Sequence, residues 1–302
     1  MHRLIVFILI ALFTTIGKLH AETTIFPEFD SNKEVRSIIG QGIGHAFVGS
    51  KTSEEQGWKK ALKAARNQVL RQTKKSLRQR ISDSNPNLSS EIEPVGPGEI
   101  LRILKEKRLG ISKKGKTRTF KVQIVAELHY RLVDNLTSKQ LLTDPSLPLT
   151  VRIWTDKRVY HKGSKIVFYL QGNRDFYARV FDVAVDGTTI QLLPNEFRPA
   201  ERFEGGKLYS LPDPGMGDDF DFDVEPPLGN EDVILYASEA PLGNVLFKEY
   251  IGGMFGRVEG SLSDLSSSLK NLTPNQKLDS DNKSGFRFVE FINTRWRLAT
   301  TP

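Results

Sequence analysis

Apolar residues recur every third or fourth position in one long stretch of the chain and every second position in several others. In the long stretch, Ser53 and Gln56 stand at capping-box spacing just before the helical pattern begins. The apolar positions that follow are Trp58, Ala61, Leu62, Ala65, Val69, Leu77 and Ile81. This spacing predicts an amphipathic helix from Ser53 to about residue 80, with one face packed on a core.

Glycines alternate with bulkier residues in "SIIGQGIGHAFVGS", residues 37–50. The G-x-G-x-G spacing lacks the final interval of a dinucleotide fingerprint, and the helix begins nine residues after Gly44, so a phosphate would meet no helix end. We therefore predict a strand with a bare face on which the helix packs closely. Gly42→Val should then lower thermal stability sharply. The helix residues expected at this contact are small: Ala61, Ala64 and Ala65.

Two further segments complete the amino-terminal half. Residues 98–110 are predicted to form a second short helix, and "RTFKVQIVAELHYRLV" has the cleanest alternation in the chain, which predicts a strand. His129 lies on the polar side of that strand without neighbours that would support catalysis. Together the elements predict a small α+β domain over residues 22–140.

The carboxy-terminal half reads as short strands broken by turns. "HKGSK", "QGNRD" and "DGTT" supply turn residues, and Asp186-Gly187 predicts a tight hairpin. No long helix interrupts residues 149–245, which predicts an all-β, Ig-like β-sandwich with Trp154 and Tyr177 as core residues. We predict a linker at 141–148, and a carboxy-terminal extension at 246–302 with a weak helix and a final strand that returns to the sandwich.

The chain begins with the features of a secretory signal peptide. Arg3 precedes an apolar run too short to span a bilayer, and we predict cleavage after Ala21. The chain has no cysteine, which excludes a lipid-modified amino terminus, disulfides and thiol chemistry. The expected location is the periplasm or the outside of the cell, with no membrane span after signal removal.

Charge divides the chain into unlike halves. Residues 22–140 carry 23 Lys and Arg against 13 Asp and Glu, whereas residues 141–302 carry 18 against 23. The predicted long helix has a basic outer face, which is either a solvated surface or a docking face for an acidic envelope protein or an anionic envelope polymer. Nucleic acid is not expected as a partner, because no aromatic residues are interleaved for base stacking. The candidate docking residues are Lys59, Lys60, Lys63, Arg66, Arg71, Lys74, Lys75 and Arg78.

Both halves resemble known families. "GQGIGHA", "ALKAARNQVL" and "KVQIVAEL", within residues 35–136, resemble exported domains of the Lpp20-type lipoproteins and of the front of the flagellar-ring protein FlgT. That resemblance implies an envelope protein that assembles or docks. "VRIWTDKRVYHKGSKI", "NRDFYARVFDVAVDG", "IQLLPNEF" and "FDVEPPLGNEDVILYAS" resemble the bacterial domain of unknown function 4384, over residues 149–242. That resemblance implies a fold and an exported setting but no reaction.

No catalytic, cofactor or metal residues are predicted. His45, His129 and His161 lack motif-spaced partners, and neither the G-x-S-x-G nor the Walker pattern occurs. The acidic residues of 213–225 fail the EF-hand spacing and alternate as on a half-exposed strand, which leaves cation binding there open. The sequence favours a non-enzymatic envelope interaction or assembly protein. The alternative is a binding module for an anionic or carbohydrate envelope component.

Overall fold

A computed structural model describes residues 35–84, 92–94, 102–132, 136–271 and 287–302. The predicted signal peptide and its cleavage after Ala21 lie outside these residues. The chain is mostly β, as expected for its larger half. The helices are α1 (Glu54–Ser84), α2 (Ser138–Thr143) and α3 (Leu262–Leu269), with a 3₁₀ turn at Pro214–Met216. The strands are β1 (Arg36–Gly49), β2 (Ile92–Pro94), β3 (Arg102–Lys114), β4 (Thr117–Leu132), β5 (Val151–Thr155), β6 (Val159–His161), β7 (Lys165–Ile166), β8 (Phe168–Gly172), β9 (Phe176–Val183), β10 (Thr189–Leu193), β11 (Arg202–Phe203), β12 (Tyr209–Leu211), β13 (Phe222–Asp223), β14 (Asn230–Ser238), β15 (Phe247–Ile251), β16 (Phe255–Val258) and β17 (Arg287–Thr301).

One large, curled antiparallel sheet runs through both halves of the chain. Its strand order is β15-β16-β10-β9-β14-β17-β1-β4-β2, and β3 also pairs with β4. The last strand is the joint, because β17 pairs with β1 through residues 287–291 and with β14 through residues 291–299. The predicted final strand is therefore confirmed, and it returns to the amino-terminal half as well as to the carboxy-terminal one.

The helix α1 packs on the glycine-bearing face of β1, as predicted. Its buried side comprises Ala61, Ala65 and Val69, in one core with Val122 and Ile124 of β4. The approach is close because the strand is bare there. A Cβ atom on Gly44 would lie 2.8 Å from the Ala65 Cα and nearer still to the Ala61 carbonyl oxygen. The glycines serve packing, which confirms the interpretation of this motif as a strand.

The short helix predicted at 98–110 is wrong where the structure describes it. Residues from Arg102 onward form β3, which turns at Gly115 (φ 59°) into β4. The strand contains two extra residues relative to β4, Leu104 and Leu109, where the pairing register shifts. Each shift breaks the alternation of inward and outward side chains, so the sequence of β3 shows no strand period.

In the carboxy-terminal half, a second sheet of order β12-β8-β5 shares a core with the large sheet. Val151 of β5, Leu170 of β8 and Leu211 of β12 lie in one cluster with Val180 of β9 and Leu235 of β14. The predicted hairpin between β9 and β10 is confirmed. Its turn uses Gly187 at φ 82°, and the Asp186 side chain accepts a hydrogen bond from the Thr188 amide (2.8 Å). Two β layers therefore enclose one apolar interior.

The other face of the large sheet is covered by α3, which confirms the weak helix predicted after residue 246. Leu265 and Leu269 of α3 are buried against Ile39 of β1 and Phe291 of β17. Since Ile38 faces α1 and Ile39 faces α3, the alternation of β1 places one helix on each side of the sheet.

A buried polar cluster joins the two halves at Leu149, directly after the predicted linker and just before β5. The Glu290 carboxylate of β17 accepts hydrogen bonds from the Tyr130 hydroxyl (3.1 Å) and the Leu149 amide (2.9 Å), and it pairs with Arg174. The Arg36 guanidinium donates to the Leu149 carbonyl (2.8 Å). A buried charge is costly unless it is paired and fully hydrogen-bonded, so this cluster specifies how the segments fit together. The 141–148 boundary itself stays a prediction.

Candidate docking surface

The basic residues singled out in the sequence lie on α1, away from the sheet. The inward positions of the helix are taken by apolar residues and Thr73, so lysine and arginine occupy the remaining positions. Of the eight candidate docking residues, all are exposed except Lys74, which is half-buried. The structure therefore brings the predicted residues together on one helix surface.

Among the described residues, this surface carries little acidic compensation. No Asp or Glu occurs between Gln56 and Gln79. Within the described part of the chain, Lys59 is the one docking residue with an ion pair, to Glu55 at 2.9 Å, and both side chains are more than 70% exposed. Such an exposed pair contributes about 0–1 kcal/mol and is weakened by salt. The outer face of α1 therefore presents a positive potential to the solvent.

The hairpin of β3 and β4 enlarges the basic surface beyond the sequence prediction. Residues 102–121 carry nine Lys and Arg against a single acid, Glu106. The hairpin meets the start of α1, where the Arg108 guanidinium lies 5.0 Å from the centroid of the Trp58 ring. Sequence reasoning missed this part because the segment was predicted to be helical, although the runs "KEKR" and "KKGK" carried the signal.

Glu127 is the most strongly held carboxylate of the amino-terminal half. It accepts hydrogen bonds from Lys270 (2.6 Å) and Ser37 (3.3 Å), and the His129 Nε2 atom lies 3.5 Å away. Burial by itself raises the pKa of Glu127, but the contacts with His129 and Lys270 outweigh it and lower the pKa to about 2.

The contacts of Glu127 hold separate segments of the chain together. The sequence puts Glu127 two residues before His129 on the same strand, and the structure sets the two side chains 3.5 Å apart. The Ser37 hydroxyl of β1 also donates to Glu127, so this carboxylate links β1 to β4. Lys270 follows α3 directly, so its contact with Glu127 ties that helix to the sheet.

The remaining histidines do not converge. His45 is exposed on β1, and His161 Nδ1 lies 2.9 Å from the Thr301 hydroxyl at the pairing of β6 with β17. Among the described residues, no three His, Asp or Glu side chains are arranged to hold a metal ion.

The acidic stretch 213–225 distributes its carboxylates among separate protein partners. Asp213 caps the 3₁₀ turn by accepting from the Gly215 amide (2.9 Å), and Asp221 pairs with Lys165. The Asp218 side chain is fully buried and accepts from Arg198 (2.5 Å). Asp219, Asp221 and Asp223 are exposed while Val224 is buried, which is the alternation expected from the sequence. Asp213, Asp218 and Asp221 are thus engaged by protein groups, and cation binding by the stretch as a whole stays open.

Asp182 on β9 is a carboxylate whose pKa is strongly raised. It is largely buried, its Oδ1 atom has no hydrogen-bond partner, and acidic neighbours surround it. Burial and the nearby charge of Glu231, with smaller contributions from Asp186 and Asp232, raise the pKa of Asp182 to about 7.

A comparison with known protein families gives a match in the carboxy-terminal half. A family model described as "Domain of unknown function (DUF4384)" matches residues 159–241, which confirms the carboxy-terminal resemblance over that range. No curated protein and no solved structure matches the chain. Within the part of the chain that is described, no helix has the length and apolar character needed to cross a membrane.

Proposed function

We propose that the protein is an exported, non-enzymatic interaction or assembly protein of the bacterial cell envelope. In this proposal the outer face of α1 docks on an acidic envelope protein. The observation that supports it most strongly is the run of eight exposed or half-exposed bases on α1 without an acid among them. The signal-like amino terminus and the resemblance to Lpp20-type and FlgT-like domains favour the same setting.

The exposed, flexible, positively charged side chains of this face are suited to binding an acidic protein surface. Exposed lysines and arginines on one helix attract an acidic surface from a distance of about a Debye length and speed the encounter. Their long side chains adapt to carboxylates of different spacing, which fits a protein surface more readily than a small rigid ligand. Because the carboxy-terminal half is net acidic, the positive charge of the chain is concentrated in the amino-terminal half.

We extend the proposal to the finer architecture of residues 149–245 as an Ig-like β-sandwich. Its support is the common core of the β12-β8-β5 sheet and the β9 and β14 strands. Loops at the ends of such a sandwich are free to present a second binding surface.

The test measures salt-dependent association of the full chain with envelope proteins, by cross-linking and co-purification at low and at physiological ionic strength. The docking variant combines Lys63→Gln, Arg66→Gln and Arg71→Gln, which removes three charges from the middle of the face. The control variant combines Lys139→Gln, Lys162→Gln and Lys207→Gln, three exposed lysines elsewhere in the chain.

We expect one or a few acidic proteins to be retained at low salt, to dissociate as salt rises, and to be lost from the docking variant alone. Equal loss from the control variant would show that net charge, and not this face, is responsible. Retention of anionic polymer without protein would instead support a ligand-binding module. No salt-sensitive partner at low ionic strength would refute the proposal.

A further inference from the structure

The two ends of the large sheet differ in chemistry. At one end, β3 exposes a row of lysines and arginines along its outer edge. Like charges repel a second copy of the same strand, and lysine-rich edges with register shifts are a common protection against sheet-to-sheet association. At the other end, β15 carries a single lysine and one register shift, and its other residues are largely apolar.

The β15 strand and Leu246, which directly precedes it, expose large apolar side chains. Leu246 is 70% exposed, Tyr250 61% and Ile251 43%, all within six consecutive residues. In the described part of the chain, β15 pairs with β16 and with no other strand. An exposed apolar edge strand with unpaired backbone groups is a template for adding another strand.

The sequence of this edge is "LFKEYI" at residues 246–251. When it is set against a second copy running in the opposite direction, apolar residues face apolar residues and lysine faces glutamate. We propose that a second copy of the chain pairs with it in antiparallel orientation, about a two-fold axis between Lys248 and Glu249. Because Lys248 is an extra residue in the strand, Phe247 and Tyr250 lie on the same face, with ring centroids 5.4 Å apart. The axis therefore sets Lys248 against Glu249 of the second copy, and each apolar residue against another apolar residue on the same face. The opposed pairs are Leu246 with Ile251, Phe247 with Tyr250, and Lys248 with Glu249.

The chemistry of the pairs selects a second copy over other occupants. A two-fold axis makes every contact occur twice, so one Lys–Glu pair becomes two. Opposite charges and apolar or aromatic pairs directly across two antiparallel strands are each favourable, whereas like charges there are unfavourable. Glu249 accepts from Arg257 (2.9 Å) within its own chain, yet its side chain is 54% exposed and remains accessible to the lysine.

The interface is short. Lys248 is an extra residue relative to β16, where the register shifts between Phe247 and Glu249, so the strand bends at its centre. Six residues on each side bury less surface than the roughly 1,000 Å² of a stable complex, which places the dimer in the weak, concentration-dependent class.

Analytical ultracentrifugation of the full chain, from about 10 to 500 μM, tests the proposal. We expect a reversible monomer–dimer equilibrium. Lys248→Glu and Glu249→Lys should each weaken dimerisation by about tenfold or more, because each sets like charges opposite each other. The double variant restores opposite charges across the axis and should regain most of the affinity. Lys162→Glu, an exposed reversal elsewhere, should have no effect.

Cysteine cross-linking reports the register directly, because the chain has no cysteine of its own. A variant with both Leu246→Cys and Ile251→Cys should form a covalent dimer on oxidation. Leu246→Cys alone should not, since the two copies of that residue would stand about 17 Å apart. A chain that stays monomeric throughout overturns the proposal, as does a dimer that the charge reversals leave unchanged or that the double reversal fails to restore.

Discussion

Adding a single methyl group to Gly44 tests the close contact between β1 and α1. The new Cβ atom of Gly44→Ala would lie 2.8 Å from the Ala65 Cα and closer to the Ala61 carbonyl oxygen and the Ala65 nitrogen. These are backbone atoms of a helix, which cannot rotate away as a side chain can. The helix must therefore lift from the strand by a fraction of an ångström or more along its buried face.

Overpacking of this kind costs about 1–3 kcal/mol, and the rigid neighbours place Gly44→Ala near the upper limit. Loss of glycine flexibility in the unfolded chain returns about 0.4–1 kcal/mol. The net loss is then about 2 kcal/mol, which corresponds to a fall in Tm of about 4–8 °C for a protein of this size. Differential scanning calorimetry, or thermal melts followed by circular dichroism, measures this directly.

Gly49→Ala is the matched control, since it lies on the same strand and its Cβ would meet nothing within 4 Å. We expect its Tm to stay level or rise slightly. Gly42→Val should also lower the Tm sharply, because a Cβ there already meets the Gln68 and Val69 side chains at 2.8 Å and valine adds two more methyl groups. If Gly44→Ala melts within 1 °C of Gly49→Ala, the close packing of α1 on the bare strand is wrong.

Two buried carboxylates predict opposite dependences of stability on pH. Because the pKa of Asp182 is raised to about 7 in the folded state, its contribution is present below about pH 4 and is lost as the pH rises through 7. Asp182→Asn should therefore raise the free energy of unfolding at pH 8.5 by on the order of 2 kcal/mol, and with it the Tm, while leaving both nearly unchanged at pH 4. An equal change in Tm at the two pH values would contradict this. Because the pKa of Glu127 is lowered from 4.5 to about 2, its contribution is present above about pH 4.5 and disappears as the pH falls through 2. Glu127→Gln should cost about 3 kcal/mol at pH 7 and much less at pH 2, as chemical denaturation would show; a cost that is independent of pH would mean that packing, and not charge, holds this side chain.

The elements of the amino-terminal half that could be predicted are those whose side-chain period agrees with their pairing. In α1, the buried Ala61, Ala65 and Val69 repeat at helical spacing, and β4 alternates without interruption through Phe120 and Ile124. Local pattern and tertiary environment give the same answer there, so periodicity was sufficient.

The sequence predicted a helix in place of β3 because the spacing of apolar residues in β3 follows from how it pairs with β4. The extra residues Leu104 and Leu109 shift the strand against β4 and place apolar residues at intervals that resemble a helix. Pairing across a hairpin, which a single segment does not encode, decided the structure. The basic hairpin and its part in the candidate surface were missed for the same reason.

The candidate docking residues on α1 were predictable because an amphipathic helix sorts its own faces. The contacts of Glu127 and the exposed edge at β15 were not, since both depend on which strands become neighbours. His129 and Glu127 are two residues apart in the chain, yet the lysine that completes their cluster, Lys270, comes from a segment far along it. Register between distant strands carries that information, and no short motif records it.

The shared strand β17 also sets the order in which this chain can finish folding. Ser37 pairs with Phe291, so β1 gains its second neighbour only after all the residues between these two have been synthesised. Until then the edge of β1 beside Ile39 stays open, whatever α1 and β4 have already formed on its other side. Such long-range pairing makes folding slow. A chain shortened before β17 would therefore lose the second neighbour of β1 as well as β17 itself.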